Sequence, residues 1–112
     1  MYKFINLKSE NDGKHKYQIT LENIATGKSH KVKFGAHGYD DYTLLASHAG
    51  SKDPSKNNKK KENYIARHKI RENWTDPLKP GTLSRYILWN KTTIFESLTD
   101  YLRRFNIKST WL

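Results

Sequence analysis

Residues 14–24 read KHKYQITLENI, and the period of that stretch decides the first third of the fold. His15, Tyr17, Ile19 and Leu21 alternate with Lys16, Gln18, Thr20 and Glu22. Successive side chains of a strand point to opposite faces, so this alternation predicts a half-buried β-strand. Working outward towards the N-terminus, YKFINLK (2–8) is rich in aromatic and β-branched residues, and the Asp12-Gly13 pair between the two runs favours a tight hairpin turn. On the other side, ATGKS (25–29) supplies a second glycine-containing turn into HKVKF (30–34), where His30, Val32 and Phe34 alternate with Lys31 and Lys33. Residues 1–35 therefore predict a three-stranded antiparallel meander.

The clean period stops at Gly35. GAHGYDDYTLLASHAG (35–50) reads as a structured loop holding one short turn of helix. SKDPSKNNKKKE (51–62) is polar and lysine-rich, so residues 51–63 are assigned to a loop and residues 64–107 to a helical part. Helix formers nevertheless reach back from YIARHKIRENW (64–74) to about Lys56, and proline is absent until Pro77, which extends the expected helix over 56–73. After WTDPLKPG (74–81), Thr82 stands as the expected N-cap of a short apolar helix through TLSRYILWN. The last helix carries the strongest local signal: Thr93 is followed three positions on by Glu96, a capping box, and Ile94, Leu98, Leu102 and Phe105 recur at helical spacing. The class expected is α+β, a meander followed by about three helices in a single domain.

The chain of 112 residues carries a formal net charge of +10, contains no cysteine, and has three tryptophans, seven tyrosines and four phenylalanines. Disulfides and thiolate metal sites are excluded, and packing of large aromatic side chains must supply the core. With a pI near 9.8 and a mean hydropathy of -0.94, the protein attracts polyanions: nucleic acid, an anionic membrane surface or acidic protein faces. The longest wholly apolar run is YILW (86–89), far short of a membrane span, and no secretory leader pattern follows MYKFINLKSE.

Neither a GxSxG elbow, a GxxxxGKS phosphate loop nor an HExxH metal motif occurs, so no enzyme activity and no cofactor is expected. His37, Asp41 and His48 could together approach a metal, but their spacing matches no metal-binding pattern, and capping and turn roles are expected for them. The dominant signal is cationic. Lys52, Lys56, Lys59, Lys60, Lys61, Arg67, Lys69 and Arg71 face only Asp53 and Glu62, and Lys60, Arg67 and Arg71 can share one helix face. That face is either a solvated surface or a grip on an acidic partner. Lys56, Lys59, Lys60, Lys61, Arg67, Lys69 and Arg71 are the candidate contacts, and Trp74, Trp89 and Trp111 the candidate interface or structural anchors.

FGAHGYDDYT (34–43), YIARHKIRENW (64–74) and SRYILWNKTT (84–93) resemble, in that order, a family of small basic proteins encoded by large nucleocytoplasmic DNA viruses, with the pattern FGxxGxxDYT, RHxxRENW, SRxxLWNK. The pattern falls on Phe34, Gly35, Gly38, Asp41, Tyr42 and Thr43, then Arg67, His68, Arg71, Glu72, Asn73 and Trp74, then Ser84, Arg85, Leu88, Trp89, Asn90 and Lys91. The resemblance implies a viral context without a catalytic role. Together with the charge, it leads to the expectation of a virion structural component, a minor capsid or cementing protein bridging acidic capsid neighbours, found in the virion and in host cytoplasm during assembly. The alternative is a sequence-independent nucleic-acid-binding protein that condenses or packages the genome. On the residues themselves, Asp41 is expected to bond a nearby backbone or to pair with Arg67 or Arg71.

Overall fold

The computed structural model describes residues 1–47 and 53–110. His48, Lys52 and Trp111 lie outside the described residues. Strands β1 (Tyr2–Ser9), β2 (His15–Asn23) and β3 (Ser29–Ala36) form the expected antiparallel meander in the order β1-β2-β3. On central β2, Ile19 faces Leu7 and Val32, and Leu21 faces Phe4 and His30, so the alternation sets one face towards the helices. Ile19 and Leu21 are fully buried. Gln18 and Thr20 on the opposite face are also buried, with Lys8, Lys33 and Lys31 as their cross-strand neighbours.

The first turn is built by Asp12, whose carboxylate accepts from the backbone N–H groups of Lys14 and His15 at 2.8 Å each, and Gly13 takes the positive φ. His15 above all, then those two N–H groups, hold the Asp12 carboxyl well below the usual carboxylate range. β1 slips its register between Phe4 and Asn6 and leaves Ile5 as a bulge on an outer strand.

The helices are α1 (Tyr42–Ala46), α2 (Pro54–His68), α3 (Pro80–Leu83), which runs on into a π-helical turn at Ser84–Leu88, and α4 (Ile94–Arg104). Three expectations are corrected. Residues 54–63 are helical, as the helix expected from about Lys56 implies and the loop assigned to 51–63 does not: Asp53 accepts from the Ser55 N–H at 3.0 Å and Pro54 fills the first helical position, a start signal stronger than the lysine-rich composition. α2 then stops at His68, short of Asn73, because the following residues turn to bring Trp74 edge-on to Tyr86. Finally, Thr82 is not an N-cap. The helix begins two residues earlier at Pro80, whose fixed φ suits a first turn, and Thr82 is buried inside it.

α4 starts at the expected N-cap, the Glu96 N–H donating to Thr93 Oγ1 at 3.2 Å, and the Glu96 carboxylate reaches back to accept from the Thr93 hydroxyl at 3.0 Å instead of from the backbone N–H of a full capping box. It ends in a Schellman motif: Asn106 adopts φ 55°, the Ile107 N–H bonds the Leu102 carbonyl at 2.8 Å, and the Asn106 N–H bonds that of Arg103 at 3.2 Å. That reversal returns the chain to the sheet, where Lys108 exchanges backbone bonds with Tyr2 and Phe4 and covers part of the outer edge of β1. The core is continuous: Ile19, Leu21 and Phe34 pack with Leu83, Ile87 and Leu88 and with Leu98, Tyr101, Leu102 and Ile107. α2 contributes nothing to that cluster, which sets up the site.

Candidate polyanion-binding face and adjoining cleft

A helix advances 100° per residue, so Lys56, Lys60, Asn63 and Arg67 form one stripe of α2 with Lys59 beside it; all five are exposed. From Lys56 to Arg67 the stripe runs about 16 Å along the axis. Glu62, the only acidic residue inside α2, projects from another side. The face turned to the body is Asn57, Lys61, Tyr64 and His68, polar and aromatic rather than aliphatic. Asn57 donates to the Leu45 carbonyl at 3.3 Å, the Tyr42 hydroxyl reaches Asn58, and Lys61 donates to the Asn90 carbonyl at 2.6 Å with its ammonium 4.7 Å from the centre of the Tyr42 ring.

Lys61 is therefore corrected from a candidate partner contact to an internal strut. Burial, then Arg85 and Lys91, lower its pKa. Lys69 and Arg71 are exposed but lie past the helix end, so Arg71 does not continue the Lys60–Arg67 stripe; it borders a hollow with Trp74, Lys79 and Thr82.

Next to the stripe opens a cleft of about 300 Å³. All three sequence blocks line it: Gly35, Ala36, Tyr39, Asp40 and Asp41 from the first, Tyr64, Arg67 and His68 from the second, Ser84, Leu88 and Trp89 from the third. From sequence the first two blocks were linked only through an expected pairing of Asp41 with Arg67 or Arg71; the fold brings all three to one cleft. Gly35 makes the junction: at φ 79° any Cβ would stand 2.7 Å from Leu88 Cδ1, so only glycine lets β3 pass this close to the π-helical turn.

One wall is a stack in which Tyr64 lies 4.6 Å from Trp89 and 4.2 Å from His68, ring centre to ring centre. The Glu72 carboxylate fixes the imidazole through Nδ1 at 2.6 Å. Burial pushes the Tyr64 hydroxyl pKa far up, so it stays a neutral phenol. The floor holds Lys16 and Asp41, paired at 2.5 Å; Lys16 also donates to the Tyr39 carbonyl, and Asp41 accepts from the Leu44 N–H at 2.8 Å as the N-cap of α1. Asp41 thus bonds backbone, as expected, and its ionic partner is Lys16 instead of Arg67 or Arg71. At the mouth stand Tyr39, 72% exposed, the Asp40–Lys60 pair at 3.7 Å, and Arg67, which has no ion-pair partner among the described residues.

Trp74 and Trp89 both take part in the protein's own packing, Trp74 against Tyr86 and Trp89 against Tyr64. Trp89 completes the stack and its carbonyl accepts from Arg85 at 2.7 Å; the Arg85 guanidinium also lies 5.5 Å from the Trp74 ring. His37 borders a second hollow with Asp41, and both Asp41 oxygens are engaged by Lys16 and Leu44. No cluster of three metal-binding side chains occurs among the described residues, and none of their helices is long and apolar enough to cross a membrane.

Fold and site together define a small α+β domain in which a cationic helix borders an aromatic cleft. A family model described as a family of unknown function (DUF5754) matches residues 5–49, from within β1 to just past α1, but neither α2 nor the Trp89 wall. No curated protein and no solved structure matches the chain.

Proposed function

We propose that this chain is a non-enzymatic protein that binds nucleic acid without regard to sequence, through the exposed face of α2, in the setting of a large DNA virus particle and its assembly. The observation that carries the reading is the stripe itself: Lys56, Lys59, Lys60 and Arg67 project together from a helix pinned to the body by its adjoining face. Centres of protein–protein contacts are depleted in lysine and rich in aromatic anchors, whereas phosphates are met by such rows of ammonium groups.

Binding to a labelled duplex across a salt series tests it. Four phosphate contacts correspond to a slope of about -3.6 in log K against log salt. Reversing Lys56, Lys60 and Arg67 to Glu should remove binding with the circular dichroism spectrum preserved. Absence of any binding at low salt would sink the reading.

The minor-capsid reading, with acidic capsid proteins as partners, keeps one specific support. Ile70 is 80% exposed between Lys69 and Arg71, a lone apolar contact amid cations that a protein neighbour could cover. Stripping the shell from purified particles separates the two: a genome binder stays with the core, and a cementing protein leaves with the capsomers.

A further inference from the structure

Resting on that nucleic-acid reading, the geometry points to the cleft beside α2 as a pocket for one unstacked base, which makes this a protein that prefers single strands to duplex. The stripe and the cleft share their border. Arg67 is the last cation of the stripe and also lines the cleft, and Lys60 pairs with Asp40 on the rim. A strand laid along α2 therefore carries its bases past the mouth.

What the cleft can hold follows from its charges. On its floor Lys16 is paired with Asp41, and on its rim Asp40 is paired with Lys60, so Arg67 at the mouth is the cation left to meet a phosphate and the interior offers a phosphate no unpaired charge. A neutral planar ring suits that interior. It would meet the half-buried rings of Trp89 and His68 and the edge of the Tyr64 ring held between them, the side chain of Leu88, and Ser84 and Asp40 as hydrogen-bonding residues for its own edge. The volume of about 300 Å³ lies at the small end of ligand pockets and suits a single ring system.

Tyr39 is the second, independent sign. Lys16 ties down its backbone carbonyl, yet its ring is 72% exposed at the cleft mouth. An aromatic ring on a tethered loop beside a cationic row is the arrangement by which proteins stack bases of single strands irrespective of sequence. A base inside a duplex is already stacked and paired and cannot enter.

Fluorescence anisotropy tests this with three probes of equal phosphate number: a thymidine strand, the same strand with abasic sites throughout, and a hairpin duplex. The thymidine strand is expected to bind about tenfold more tightly than the abasic strand, and Tyr39→Ala to erase that advantage while leaving duplex binding unchanged. Equal affinity for the thymidine and abasic strands overturns the base pocket, whatever the variant does, and leaves phosphate binding by α2 intact. Failure of all three probes to bind overturns both.

Discussion

At the scale of single residues, Gly35 and Lys61 show how much one position can decide. Gly13 and Gly35 both take positive φ, but a Cβ on Gly13 meets open space and one on Gly35 meets Leu88 Cδ1 at 2.7 Å and Lys16 Cβ at 3.1 Å. Gly13→Ala should cost about 1 kcal/mol, the conformational penalty alone. Gly35→Ala adds overpacking and should cost about 3 kcal/mol, read as a shift in denaturant midpoint at constant slope. A positive φ at Gly35 was legible as glycine's permissiveness after a strand; the close approach to Leu88 was not, because 53 positions of chain separate the two.

At the scale of the element, α2 works by phase. Lys60 and Lys61 are adjacent in sequence and point 100° apart, so one joins the exposed stripe and the other donates to the Asn90 carbonyl. Lys60→Met should weaken polyanion binding several-fold with little change in stability. Lys61→Met should do the reverse: lower the melting temperature, since Asn90 loses its donor, and leave affinity unchanged. Titration and thermal melts of the two variants check the pair. Neither composition nor phase could separate these lysines: relative to Tyr64, Lys60 lies about 40° to one side and Lys61 about 60° to the other, and only the Asn90 carbonyl, brought close by the fold, draws Lys61 inward. The start of α2, by contrast, was legible in Asp53-Pro54 despite the lysine run. In α4 the caps were local and the expectation held, though Tyr101, fully buried and bonded through its hydroxyl to the Pro77 carbonyl at 2.7 Å, escaped the apolar pattern.

At the scale of the whole molecule, one carboxylate ties α4 to the corner on which α2 docks. Asp100 accepts from Asn90 Nδ2 at 2.7 Å and from Arg104 at 3.2 Å. Burial alone would raise its pKa, but the Asn90 hydrogen bond and the Arg104 charge outweigh it and hold the carboxyl below its usual range. A carboxylate whose pKa is lower folded than unfolded lends stability that is complete above the unfolded value, about 3.9, and is lost as pH falls through the folded one. Thermal melts taken downward from pH 5 should show Asp100→Asn losing less stability than the unaltered protein over that window. Parallel slopes for the two would mean that Asp100 contributes nothing to acid sensitivity.

The amino-acid sequence by itself determined what a few neighbouring residues can enforce: the strand alternation around Ile19 and Leu21, the turn at Asp12-Gly13, the N-cap at Thr93, and the cationic surplus. Tertiary structure alone decided which lysines face outward, that Lys16 pairs with Asp41, that Tyr64 and Trp89 stack, and that three separated blocks line one cleft. The physical reason is range. Backbone preference and side-chain period act within a turn or two of chain, whereas a cleft arises only when core packing brings β3 to the π-helical turn and the bonds of Asn57 and Lys61 seat α2 beside them.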